Sequence, residues 1–383
     1  MLDVMEKTKL DRVYRHLHGE IVRGRFRTGE RLPTEEELAD RFGYSRTTVA
    51  KAIRLLARRG LVERRRRAGS FVRAGAGVRS QLLGAIICGA AEKDPGSNIF
   101  VPIGREIARE AELSGYAVTM EDPCQRGTMD LRSWHEKVAR EFIEKQVAGV
   151  LMVPCEIIGA AEESISARAA EMLSEAGIPV VLEDRDLCRY PHRSQFDLVG
   201  IDNRRAGCIM VEHLLKQGIR RVDFVAADEY GWAQDGRIAG CIDAFHNVGL
   251  KFERAWMHQG HPSQPEYIEG IVRDRQVEAI LAVNDGIAGE IMRVATLMGR
   301  NVPGDLKVMG FDDLPFCTTL PSPLTTIRQP CADLGAMAVR TLFDRMRNPN
   351  RRTMDVTLSF ELIIRKSCGG VLHTAAPAMI GGV

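Results

Sequence analysis

The sequence predicts two folded parts, a small α+β head over residues 1–73 and a larger two-lobed α/β body over residues 81–366. Three observations carry that expectation. Charge divides sharply along the chain, the head shows three short helices followed by a hairpin, and the body alternates short apolar runs with amphipathic stretches. The 383 residues suffice for two or three packed units.

The net charge of +2 conceals the division. Residues 1–73 hold 19 Lys and Arg against 10 Asp and Glu, a net +9, while the other 310 residues hold 34 against 41, a net −7. A basic head on an acidic body indicates a polyanion at one end and a different partner at the other. The Gly-, Ala- and Ser-containing stretch 74–80 reads as a linker.

In the head, Leu10, Val13, Tyr14, Leu17, Ile21 and Val22 recur at helical spacing and give the first helix one apolar stripe. Thr34, with Glu37 three residues on, is the start of a second helix with a capping box. The Gly43 turn and Ser45 as the next N-cap open a third helix over about 46–58, with Val49, Ile53 and Leu56 inward. Arg46, Thr47, Ala50, Lys51 and Arg54 then face out. Such a pair of helices places its second member in a DNA major groove. Residues 61–65 and 70–73, joined by the turn 66–69, form a two-stranded wing. The arginine run Arg64–Arg67 lies at its tip, in reach of phosphates or the minor groove. A solvated charge cluster, or a winged helix that binds protein, is the competing account; the +9 charge weighs against it.

From residue 82 the runs LLGAIIC, AVTMED, GVLMVP, PVVLED, LVGID, RVDFVA, AILAVND and LKVMGFDD follow one another with helical stretches between them. That is the signature of βαβ units in parallel sheets. Ligands of such sheets bind beyond the carboxyl ends of the strands. The expected lobes are 81–188 with 315–347, and 189–314 with 348–366. The stretch 367–383 shows no periodicity and is expected to be a disordered tail.

Several classes are disfavoured. No apolar run approaches the ~20 residues of a membrane span, and the charged N-terminus lacks a secretory h-region. Nine cysteines are scattered without a CxxC pair, which argues against a zinc site and a disulfide framework and fits a reducing cytoplasm; they read as buried thiols. No nucleophile elbow, HExxH or P-loop is present, so neither an enzyme nor a cofactor is expected.

Residues 21–72, from IVRGRF through LPTEEELADRFGYSRTTVAKAIRLLARRGLVERR to GSFV, resemble the winged-helix domain of the GntR family along their whole length. The resemblance implies that Ser45, Arg46, Thr47 and Thr48 face bases and phosphates and that Gly69 sits at the wing tip. Lys51, Arg65, Arg66 and Arg67 complete the expected DNA contacts. Glu36 and Ala50 stand where the family commonly has arginine, which puts its common operator in doubt. In the body, GIDNRRAGCIMVEHLLKQGIRRVDFVA, GRIAGCIDAFHNVGL, AILAVNDGIAGEIMRVATLMGRNVPGDLKVMGFDD and SPLTTIRQP resemble the effector core of LacI/GalR repressors, itself similar to type I periplasmic sugar-binding proteins. The whole chain is similar to hybrid regulators of the arabinose-repressor type.

That resemblance implies a cytoplasmic homodimer on palindromic double-stranded DNA, without membrane contact, most simply a repressor, with a sugar or sugar derivative between its lobes. A transport-type sugar-binding protein is the rival; the basic head and the absent signal peptide disfavour it. By resemblance Arg237 grips ligand oxygens, with a surface arginine as the alternative. Asp312, Asn284 and Asp285 end strands at the cleft, where turn-capping competes with ligand contact. Asp94, Asn98, Arg185 and Trp232 are weaker candidates; Trp232 could stack on a sugar face or simply pack. Asp202 is expected to cap the helix beginning near Arg204.

Overall fold

The computed structural model describes residues 9–22, 25–26, 29–58, 61–65, 68–72, 81–89, 98–155, 164–227, 232–260 and 264–370. The linker 74–80 lies outside them, as do residues 371–383 of the expected tail. No described helix is long and apolar enough to cross a membrane.

The head comprises α1 (Lys9–Val22), α2 (Glu35–Phe42), α3 (Arg46–Arg58), β1 (Val62–Arg65) and β2 (Gly69–Val72). The Thr34 hydroxyl accepts from the Glu37 amide while the Glu37 carboxylate takes the Thr34 amide, so the capping box forms. Gly43 closes α2 in the left-handed conformation, φ 64°. Val13, Leu17, Ile21, Leu38, Val49, Ile53 and Leu56 meet in a separate core, which Val62 and Val72 of the antiparallel wing extend.

The body contains two six-stranded sheets. The first runs β13-β7-β6-β5-β3-β4, with β3 (Leu82–Ile86), β4 (Ala117–Glu121), β5 (Val150–Met152), β6 (Val180–Glu183), β7 (Asp197–Ile201) and β13 (Asp355–Leu358), all parallel. The second runs β14-β12-β11-β10-β8-β9, with β8 (Val222–Ala227), β9 (Met257–Gly260), β10 (Ala279–Ala282), β11 (Lys307–Asp312), β12 (Thr325–Arg328) and an antiparallel edge, β14 (Glu361–Ile363). Helices α4 (Phe100–Leu113), α5 (Leu131–Glu144), α6 (Ala167–Glu175) and α11 (Cys331–Arg347) belong to the first lobe. The second lobe holds α7 (Asn203–Lys216), α8 (Ala233–Asn247), α9 (Pro265–Arg273) and α10 (Asp285–Leu297).

All eight apolar runs are strands, but the lobes divide elsewhere than expected. Strand β7 pairs with β6, β12 with β11 and β13 with β7. The chain therefore crosses between lobes near 202, 329–330 and 359–360, each crossing one strand later than predicted. The tail also begins later. Ser367 and Cys368 form a buried 3-10 turn, where the Ser367 hydroxyl donates to Val308 O at 2.6 Å and accepts from the Thr325 amide at 2.8 Å.

Helices α7 and α8 approach through glycine. A Cβ on Gly240 would lie 1.8 Å from Arg204 O, and one on Gly207 2.0 Å from Arg237 O. No side chain can yield there, because the obstacle is backbone. Gly240→Ala is expected to cost ~1–3 kcal/mol or more by forcing the helices apart. A melting temperature equal to wild type would show that the pair is loosely packed.

Candidate DNA face and inter-lobe site

The candidate DNA face starts from α3. The Ser45 hydroxyl accepts from the Thr48 amide at 3.3 Å and lies 2.9 Å from the Thr48 hydroxyl and 3.1 Å from that of Thr47. The start of α3 is thereby capped, and Arg46, Thr47 and Lys51 stand exposed beside it. Arg46 shares a concavity of about 500 Å³ with Arg64, Arg65, Gly69 and Ser70 of the wing and with Arg31, which sequence reasoning missed. Gly69 is required here: its φ is 110°, and a Cβ would meet Arg31 Nε at 2.7 Å. Two wing arginines are already paired, Arg64 with Glu35 at 2.8 Å and Arg65 with Glu63 at 3.2 Å, and Arg65 also covers the Phe71 ring. Arg66 and Arg67 lie outside the described residues.

Arg46→Ala is expected to weaken operator binding by roughly 1–3 kcal/mol with relaxed sequence preference. Replacing Arg65, Arg66 and Arg67 together should instead weaken binding to all DNA and flatten its salt dependence by about one unit for each phosphate no longer neutralised. An unchanged salt slope would remove the wing from the interface.

The second site lies between the lobes. A cavity of about 150 Å³ is lined by Asn98, Ile99, Phe100, Asp184 and Arg185 from the first lobe and by Ala233, Gln234, Arg237, Val283, Asn284 and Asp312 from the second. It is small beside the ~300–1,000 Å³ of pockets for drug-sized ligands, and suits a compact molecule. Arg237, on the first turns of α8, is buried. Its Nε donates to Asn203 Oδ1 at 2.8 Å and its Nη1 to Val283 O at 2.6 Å, while the guanidinium lies 3.5 Å from the Phe311 ring centroid. These contacts fix the plane of the fork. Nη2 makes no hydrogen bond to the described residues, so it retains donors for a ligand. Burial lowers its pKa, opposed by Asp312, Asp184 and Asp285, yet a guanidinium stays charged.

Asp312 ends β11 and accepts from Gln329 Nε2 at 2.9 Å. Burial pushes its pKa up to about 7; Asp285 and Asp184 reinforce the shift, and Arg237 and Gln329 oppose it. Its φ of 114° is unusual for a residue with a side chain, as are the 56° of Asp313 and the 70° of Asp184. Such backbone strain persists where surroundings impose it and gathers at ligand sites. Asp184, which sequence reasoning passed over, holds Arg185 Nε at 2.7 Å across the cavity wall.

The remaining candidates separate. Asn284 lines the cavity, but its Oδ1 also caps α10 by accepting from the Ile287 amide at 2.9 Å. Asn98 lines it while its Oδ1 accepts from the Phe100 and Val101 amides. Asp285 must be withdrawn. It is fully buried outside the cavity, accepting from the Thr326 hydroxyl at 2.6 Å and the Leu314 amide at 2.8 Å, so it ties α10 to the sheet. Trp232, at the N-terminus of α8, is not part of the cavity lining. Asp94 lies outside the described residues. Asp202 caps α7 as expected, through the Arg205 amide.

Comparison with known proteins agrees with this division. Residues 9–72 match the gntR family of bacterial regulatory proteins, and residues 211–368 match a periplasmic binding protein-like domain. The arabinose metabolism transcriptional repressor of Geobacillus stearothermophilus is 24% identical over 361 residues, covering 91% of this chain and 94% of that one. Among solved structures, the transcriptional regulator CelR in complex with cellobiose superposes with a TM-score of 0.64 at 22% identity, covering 88% of this chain and all of that one (100%). A LacI family regulator from Enterococcus faecium with bound ribose gives 0.61 at 21% identity, covering 75% of this chain and 98% of that one. These two likenesses establish the fold. The gntR-type head favours a regulator over the transport-protein alternative. The head thus matches the gntR family of bacterial regulatory proteins and the body a periplasmic binding protein-like domain, and over nearly its whole length the chain is similar to a transcriptional repressor.

Proposed function

We infer that the chain is a cytoplasmic repressor that binds a palindromic double-stranded operator as a homodimer and changes its hold on DNA when a sugar or sugar derivative occupies the inter-lobe cavity. One head reads only a few base pairs, and a two-fold pair of heads supplies the rest of the site. The observation that carries the ligand reading is that Arg237 and Asp312 line the same cavity. A planar fork backed by an aromatic ring and an acceptor carboxylate line one small cavity, joined to neighbours but not to each other. Adjacent sugar hydroxyls, each both donor and acceptor, can bridge such a pair. The relatives named for arabinose metabolism and solved with cellobiose or ribose point to the same class.

A thermal-shift panel of pentoses, hexoses, disaccharides, sugar acids and sugar phosphates tests this. At ~100 Kd a ligand adds ~2.7 kcal/mol of stability, a shift of roughly 4–5 °C for a body of this size. A panel in which no member raises the melting temperature would remove sugars as effectors.

A further inference from the structure

The scatter of cysteines in the sequence argues against a metal site, but the fold gathers three of them. Strands β5, β3 and β4 lie side by side, and each continues past its carboxyl end into a cysteine: Cys155, Cys88 and Cys124. Cys88 and Cys124, 36 residues apart in sequence, have their sulfurs 3.2 Å apart. Asp122 joins them, and the donor atoms of Cys88, Asp122 and Cys124 all lie within 4.8 Å of one another. That is close to the span of two ~2.3 Å bonds to one ion. The carboxylate is held in position, since Asp122 Oδ1 accepts from the Gly89 and Cys124 amides, both at 2.9 Å. Cys124 is exposed and gives an entry path, whereas Asp122 is buried.

We propose that Cys88, Cys124 and Asp122 form a binding site for a thiophilic metal ion of the zinc(II) class. Two sulfurs and one carboxylate oxygen are three ligands of a tetrahedral zinc site, with a water completing it. Cys155 is hydrogen-bonded to Cys88 but falls outside the shared centre, which makes it an outer partner of the Cys88 sulfur. On binding, one Zn²⁺ displaces two thiol protons and leaves two zinc-bound thiolates. A disulfide between the same sulfurs is the weaker account, because neutral thiols oxidise slowly and a disulfide makes no use of the carboxylate. The site also touches the cleft wall, because Gly89 O accepts from Asn98 Nδ2 at 3.3 Å and Asn98 lines the cavity.

The test uses the full chain, reduced with a phosphine and freed of metal. Cadmium(II) is titrated in and followed by thiolate-to-metal absorption, and zinc(II) affinity is measured by competition with a chromophoric chelator. The expected result is one ion per chain, bound at least 100-fold more tightly than by Cys88→Ser or Cys124→Ser and unchanged in Cys208→Ser. Because two protons leave, affinity should rise about 100-fold per pH unit below neutrality. Cys124→Ser alters an exposed position, so retained helical circular dichroism and melting temperature separate lost ligation from lost folding. Equal zinc affinity in wild type and Cys124→Ser would overturn the proposal. So would an intact mass lower by two hydrogens in the protein before reduction, with no metal taken up afterwards, the mark of a disulfide. Neither result depends on the identity of the effector.

Discussion

Replacing Arg237 by alanine is expected to give a protein that occupies its operator normally and no longer releases it when effector is added. The substitution removes a charged fork from a buried site and leaves Asp312, with any ligand oxygens it would have shared, without a positive partner. Removing a charged donor from its hydrogen bonds to a ligand costs roughly 1.5–3 kcal/mol for each bond, on the order of 10–10²-fold in effector affinity. Effector can move the DNA-bound population only through its differential affinity for two states of the body, so a body that cannot hold it cannot respond. Operator affinity without effector should stay near wild type, because the head closes its own core around Leu17, Leu38, Ile53 and Leu56.

Arg237 also has a structural share in α8, through Asn203 and Val283, and two further variants separate the roles. Arg237→Lys keeps the charge and loses the bidentate fork, so it should recover stability but not affinity. Asn203→Ala frees the fork without removing it and should cost less. Gel-shift titrations with the sugar chosen by thermal shift decide the matter. If Arg237→Ala lets go of DNA at the wild-type effector concentration, Arg237 is not the grip.

What could be read from sequence was local. Thr34 with Glu37, Gly43 and Ser45 announce the helix ends of the head because capping is settled within a few residues. Eight of the body's twelve described strands were legible because a short apolar run with turn residues at its end has few other uses. What could not be read depends on which strand lies beside which. The dipeptide Asn284-Asp285 shows this: one side chain caps α10 at the cavity edge, and the next turns under it to Thr326, 41 residues away. Asp184 sits at the end of an ordinary apolar run, and only the placement of the two lobes makes it part of a wall. Gln329 carried no motif, yet it reaches Asp312 from the segment that crosses between lobes. The thiols of Cys88 and Cys124 were invisible for the same reason, since their contact follows from the strand order alone.

Asp312 gives the second large effect, a pH dependence of effector binding. Its folded pKa of about 7 lies well above the ~3.9 of an unperturbed aspartate. The raised value fixes the sign for stability: the folded protein holds this proton more tightly, so the contribution is full below pH ~4 and is lost as pH rises through about 7. Effector binding runs the other way. Ligand hydroxyls donate to the ionised carboxylate, so below pH 7 binding must expel the proton, and affinity should fall about tenfold per unit from neutrality toward pH 5. Above neutrality the curve should flatten, since the carboxylate is already charged. Arg237 contributes no slope in this range, as its guanidinium stays protonated throughout. Asp312→Asn keeps the size and the hydrogen-bonding edge but cannot ionise. It should bind more weakly than wild type at pH 8 and equally at pH 8 and pH 6. Gln329 donates to the same carboxylate, so Gln329→Leu removes a bond that favours the charged form and should move the midpoint upward. Isothermal titration at several pH values reads all three proteins. A slope that persists in Asp312→Asn would place the titrating group elsewhere and detach Asp312 from the ligand.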